Sequence, residues 1–269
     1  MTDITQTGLV EFANAALRAA VLGVPRLFVC MALLPLFPSS VFPRLLKVGV
    51  AMGLGAPVCL GVYWQMQEAQ AVNIGALVAK ECVLGLLLGL MLAAPLWAIE
   101  AVGTLTDNQR GANAAQQVTP FAQADASVIG SALLQAMVVV LAASGAFALV
   151  YRFLLFSFEA WPVLQPLPDL TVFSLDHSLR RFGEFVMKAV LFAAPMLTIV
   201  LLIDFVFALM GVFAPQLQTY FAAFPMKSLC AILVLALYLT VLLGHGERYL
   251  LQTLDQETRL LEQQSGQQE

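Results

Sequence analysis

The residues that could do chemistry in this chain are few and scattered. The two histidines, His177 and His245, lie in separate regions, and Cys30, Cys59, Cys82 and Cys230 sit singly in apolar runs with no CxxC pair. No metal-ligand cluster can be written from them. There is no GxSxG, no HExxH and no glycine-rich phosphate loop, so neither an activated nucleophile nor a nucleotide cradle is expected. Asp204 is the one aspartate inside an apolar stretch, and paired-aspartate hydrolysis within a membrane would need a second. The reading is a protein that is not an enzyme and takes no cofactor or metal.

Charges inside apolar runs remain. Lys80, Glu81, Glu100, Lys188 and Asp204 occupy such positions, where a charged side chain costs about 2.5–3.5 kcal/mol on insertion scales. An ion or proton relay would use them. Structural pairing, within the chain or with other subunits, is the favoured alternative. Lys80 and Glu81 are neighbours and point in different directions on a helix, which argues against their being each other's ion pair.

A more specific pattern is Asp107, Asn108, Gln109, Arg110 and Gly111. Four polar residues follow a long apolar run, and then comes a glycine that can take a positive φ and release the chain. The stretch 106–127 that they open is rich in glutamine and small residues. It includes Gln116, Gln117, Pro120 and the apolar Phe121. A helix C-cap followed by a solvated loop explains the spacing as well as a functional segment does.

The elements that position these residues follow from composition. The 269 residues are 60% hydrophobic and 11% charged, whereas soluble domains average roughly 45–50% and about 25%. Too little polar surface is left for a soluble fold, so lipid or large partners must cover the rest. The net charge of −4, with no basic stripe, sets nucleic acid aside as a partner. Acidic Asp3 and Glu11 precede the first apolar run, so no cleaved secretory signal is expected.

A membrane span takes about 20 apolar helical residues. Six stretches qualify, at about 15–37, 41–64, 74–105, 128–156, 185–213 and 226–243; the first is weakened by Arg18 and Arg26. The expectation is an all-α polytopic membrane protein, one domain over 1–269. Lys and Arg at the segment ends favour both termini on the cytoplasmic side. The third stretch exceeds a bilayer's thickness, and Pro25, Pro57, Pro95 and Pro195 are expected to bend or break their helices.

Gly49 with Gly53 and Gly85 with Gly89 make GxxxG spacings, and 142–146 is a run of small residues; both suit close helix approach. The polar loop 157–184, with Pro162, Pro166 and Pro168, suggests a stiff extended entry followed by a short surface helix. The tail 247–269 suggests an amphipathic helix that frays into glutamines.

With Asp107-Asn108-Gln109-Arg110-Gly111-Ala112 after a long third segment, the sequence resembles the T subunit of the type III secretion export apparatus, the SctT family, related to flagellar FliR. Leu36-Phe37-Pro38, the Tyr151-Arg152 pair and Ala214-Pro215 support the likeness. It extends over most of the chain, and the Asp107–Ala112 motif points to the injectisome branch rather than the flagellar one. The resemblance implies a nonenzymatic inner-membrane subunit of the protein-conducting export gate. One T copy would assemble with R-type and S-type membrane subunits and meet the U-type switch subunit, in a helical spiral partly above the membrane plane.

It also implies a plug in the central channel. On this chain the plug would begin near Arg110 and Gly111 and run past Gln116, Gln117, Pro120 and Phe121 to about residue 125. Amides and small side chains could line a wet passage for secreted unfolded proteins, with Phe121 as a seal. The rival readings are a small-solute transporter, a flagellar gate subunit and a membrane scaffold.

Overall fold

A computed structural model describes residues 2–36, 43–66, 73–111, 127–165, 175–213 and 219–265. The described residues form eight helices: α1 Thr2–Gly23, α2 Pro25–Leu33, α3 Arg44–Met66, α4 Ile74–Gln109, α5 Val128–Ala143, α6 Ala146–Ala160, α7 Leu175–Phe213 and α8 Thr219–Ser265. Five helical stretches are long and apolar enough to cross a membrane, or six if α5 and α6 are taken as one broken span. The chain is therefore a polytopic all-helical protein, as its composition requires.

The breaks have local causes. Pro25 stands at the first position of α2, where its missing N–H costs nothing and its fixed φ suits a helix start. The first apolar stretch is thus two helices in succession. Gly145, at φ +75°, separates α5 from α6, so the small residues of 142–146 make a break. Pro57, Pro95, Pro195 and Pro225, by contrast, lie inside continuous helices. The overlong third stretch is one helix of 36 residues, about 54 Å at 1.5 Å per residue. The tail is no separate element, because α8 runs unbroken for 47 residues. The short helix expected late in the 157–184 loop is the start of α7, which opens at Leu175.

The chain divides into two compact units, one formed by 1–93, 146–178 and 252–269, the other by 94–145 and 179–251. In the first, α1 and α2 pack on α3. Ala19, Leu22, Val62, Leu77 and Val163 form a buried cluster. Gly85 and Gly89 do what their spacing suggests. A Cβ on Gly85 would come 2.5 Å from the Arg26 carbonyl oxygen, and one on Gly89 would come 3.0 Å from Cys30 Cα, so α2 lies directly on α4. Gly49 and Gly53 differ, since a Cβ at either would meet nothing within 4 Å among the described residues. Tyr151, on α6, donates from its hydroxyl to the Leu54 carbonyl of α3 at 2.8 Å.

In the second unit, α4 and α5 meet backbone to backbone. A Cβ on Gly103 would lie 2.3 Å from the Gly130 nitrogen. Leu96, Ile99, Leu133, Met137 and Leu141 are buried, and Gly246 of α8 fits closely against Ile99 and Met137. Phe192 of α7 meets Tyr249 of α8 edge to face, with ring centroids 6.3 Å apart. Elsewhere α7 presents Leu201, Leu202, Phe205, Val206 and Leu209 outward, an apolar surface that suits lipid or another subunit and not water.

Candidate functional site

The polar end of α4 is built as an anchor. Asp107 is 2% exposed, and one of its oxygens takes two hydrogen bonds from the start of α5: from the Ser127 hydroxyl at 2.5 Å and from the Ile129 N–H at 3.0 Å. Ser127 is the N-cap of α5 and accepts from the Gly130 N–H at 2.8 Å. Such a cap satisfies donors that a helix start otherwise leaves open, and a carboxylate there is favoured by the helix dipole. The other oxygen of Asp107 pairs with Arg110 at 2.7 Å. One carboxylate thereby holds together the residues on either side of 112–126.

The glycine ends the helix for two reasons. Gly111 has φ +77°, and a Cβ there would stand 2.3 Å from the Phe224 ring of α8. Its N–H donates to the Asn108 carbonyl at 3.2 Å. A positive φ disfavours other residues, and the aromatic contact removes the space for one. Lys227, one helical turn beyond Phe224, bonds Asp204 of α7 and reaches the Gln109 carbonyl at 3.5 Å. Asp107, Gln109, Arg110 and Gly111 are thus brought together, with Asn108 on the exposed side of the same turn. Gln116, Gln117, Pro120 and Phe121 lie outside the described residues.

The second group of charges is a buried cluster in the first unit. Arg26 and Glu81 are both 0% exposed and join as a fork, Nε to Oε2 at 2.7 Å and Nη2 to Oε1 at 3.0 Å. Arg26 also donates to the carbonyls of Ser157 at 2.6 Å and Trp161 at 2.9 Å, and it lies 4.0 Å from the Phe158 ring centroid. Lys80 donates to the carbonyls of Pro162, Val163 and Gln165, each at 2.9 Å. Two cations therefore cap the carbonyl-rich C-terminal end of α6, where positive charge is stabilised.

The expectation that Lys80 and Glu81 do not pair is corrected, because Lys80 Nζ stands 3.0 Å from Glu81 Oε1. Both long side chains curl toward Arg26 and the end of α6, and that convergence outweighs their divergent directions on the helix. Asp204 meets Lys227, while Lys188 lies 5.7 Å over the Tyr249 ring. Among the described residues Glu100 makes no ion pair.

Sequence reasoning noted Arg26 only as a weakness of the first apolar stretch and gave Ser127, Phe224 and Lys227 no site role. A lone arginine in an apolar run is itself a signal that a partner exists, and serine before an apolar run is an N-cap signature. Phe224 and Lys227 had no local signal, since their role depends on where α8 passes the end of α4.

Residues 17–253 match the family described as bacterial export proteins, family 1. The Yop proteins translocation protein T of Yersinia pestis is 32% identical over 234 residues, 86% of this chain and 90% of its own length. The secretion system apparatus protein SsaT of Salmonella typhimurium is 28% identical over 220 residues, 79% of this chain and 83% of its own length. The flagellar biosynthetic protein FliR of Bacillus subtilis is 23% identical over 211 residues, 78% and 81% of the two chains. The chain belongs to this family of bacterial export proteins. Within it, the chain is a multi-pass inner-membrane subunit of a type III secretion export apparatus.

Proposed function

We propose that the chain is a nonenzymatic T subunit of the export gate and that 112–126 is the plug of its channel. One copy assembles with the R-type and S-type membrane subunits and meets the U-type switch subunit. Unfolded proteins pass along the assembled channel, driven by energy supplied elsewhere in the machine. The observation that carries this reading is the double use of Asp107, which ties the end of α4 to the start of α5 through Ser127 and Ile129. A plug needs a fixed base, and this carboxylate supplies one. The higher identity to the Yersinia translocation protein than to the flagellar relative supports an injectisome over a flagellum.

The test is crosslinking of a stalled passenger protein from a photoreactive residue at Phe121, in cells making the complete apparatus. An adduct at Phe121, with none from a residue on the outward face of α7 such as Phe205, is expected. A passenger that crosslinks equally at both, or at neither, sinks the plug assignment. Native mass spectrometry of the gently extracted particle checks assembly, and a homodimer without other subunits is incompatible with it.

A further inference from the structure

Asp204 is a carboxylate set in an apolar face. It stands on α7 nine residues before the helix end at Phe213, about 14 Å in along the axis, which is deep in a hydrocarbon layer about 30 Å thick. Leu201, Phe205, Ala208 and Val212 share its side of the helix by their spacing, and all four are exposed. Among the described residues its one ion-pair partner is Lys227. That ammonium comes from the inner side: Lys227 is 7% exposed, and it reaches the Gln109 carbonyl at 3.5 Å and lies 5.8 Å from the Phe224 ring centroid. The Asp204 side chain nevertheless keeps 40% of its surface open.

A carboxylate has more acceptor sites than one ammonium uses. An aspartate side chain is also too short to reach the membrane surface as the long stems of lysine and arginine do. Against lipid, the open side of Asp204 would be polar surface without compensation. Against water, its four apolar neighbours would be misplaced. A protein surface that is apolar but carries one donor suits both. Lys227 already balances the charge, so a second cation would leave the site net positive in apolar surroundings, and a neutral donor fits better. Ala208, one turn beyond Asp204, lets a second backbone come close.

We infer that the outward face of α7 centred on Asp204 is the docking surface for a helix of another membrane subunit, which brings a hydroxyl or side-chain amide to the open side of this carboxylate. The inference rests on the proposed assembly with partner subunits. It assigns to Asp204 two contacts of different kinds, an ion pair inside the chain and a hydrogen bond between chains.

The experiment places a photoreactive residue at Leu201 or Ala208 in cells that make the complete apparatus and identifies the products by mass spectrometry. The expected adduct is with a partner subunit, on a helix that carries Ser, Thr, Asn or Gln within one turn of the crosslinked position. Adducts with lipid alone, with a second copy of this chain, or with a helix lacking such a donor overturn the inference. Replacing the pair together, Asp204→Leu with Lys227→Leu, leaves no charge unbalanced; it is expected to lower copurification of partner subunits severalfold while the chain made alone stays as protease-resistant as wild type. Unchanged copurification in that variant overturns the inference. Asp204→Asn keeps a carbonyl acceptor and should retain most of the copurification, and a loss as large as that of the leucine pair would overturn the neutral donor. Should the leucine pair lose protease resistance, the crosslink decides, because it is made in a chain that keeps Asp204 and Lys227. A wild-type chain that copurifies its partners while neither position gives an adduct removes the inference and leaves the assembly standing; one that copurifies no other subunit removes the assembly reading, and the inference with it.

Discussion

Arg26 and Glu81, 55 residues apart in sequence, form a two-point ion pair with no exposed side-chain surface. The pair is not symmetric in its surroundings. Among the described residues Glu81 is the one carboxylate between two cations, because Lys80 also contacts it at 3.0 Å, whereas Arg26 has main-chain carbonyls as further partners.

That asymmetry fixes an order of damage. Glu81→Gln leaves two cations without their counter-charge, while Arg26→Gln leaves a carboxylate that Lys80 still neutralises. Breaking a buried pair from one side costs about 3–5 kcal/mol, and the glutamate substitution is expected at the upper end. Protease resistance and steady-state level of the membrane-inserted chain would check this, and equal losses in both variants would contradict it.

Asp107→Ala removes the acceptor for Ser127, for the Ile129 N–H and for Arg110. A cost of about 1–3 kcal/mol is expected from the buried donor left open. Ser127→Ala loses the N-cap, worth about 1 kcal/mol. Because the two residues share one bond, the double variant should fall short of the sum of the singles. Thermal denaturation in detergent gives all three numbers, and strict additivity would show that the two residues act independently.

Gly111→Ala meets two obstacles of different kinds, a positive φ and the Phe224 ring. The first alone costs more than about 1 kcal/mol in comparable positions. Adding Phe224→Ala should recover the clash but not the backbone cost, so the double variant is expected between Gly111→Ala and wild type in thermal stability. Full recovery would mean that φ is immaterial there.

Gly103 and Gly49 predict opposite outcomes for one chemical change. Gly103→Ala places a methyl against the backbone of Gly130 and is expected to separate α4 from α5, with reduced protease resistance of the chain. Gly49→Ala meets nothing among the described residues and should add about 0.5–1 kcal/mol of helix stability. If Gly49→Ala instead lowers only the yield of copurified partner subunits, the open side of α3 is a subunit contact.

Much of the architecture was legible because the signals are local. Long apolar stretches fix the helices, the Gly85/Gly89 spacing marks a close approach, and the motif from Asp107 to Gly111 marks the end of α4. Breaks were harder to read. Pro25 starts a helix while Pro57 and Pro95 sit inside helices, and only the neighbours that accept or refuse the freed carbonyls decide between the two. The candidate site was half legible. Gly111 declared itself by type, but its second constraint is a ring from residue 224, brought there by packing that no spacing encodes. Lys80 and Glu81 misled for the same reason, since the cluster that draws them together includes an arginine and a helix end far away in the chain.

If 112–126 is the proposed plug, the anchoring of both its flanks bears on how the gate would reset. A separate stopper, once displaced by a passenger, would have to find its seat again by diffusion, at a rate set by its concentration. Under the plug proposal, a segment held at Gly111 on one side and at Ser127 on the other would return by a unimolecular step, and loop closure at about ten residues takes on the order of 10–100 ns. The time for which the membrane stands open behind a departing passenger would then depend on chain connectivity and not on supply. Between substrates such a gate would reseal without any input of energy.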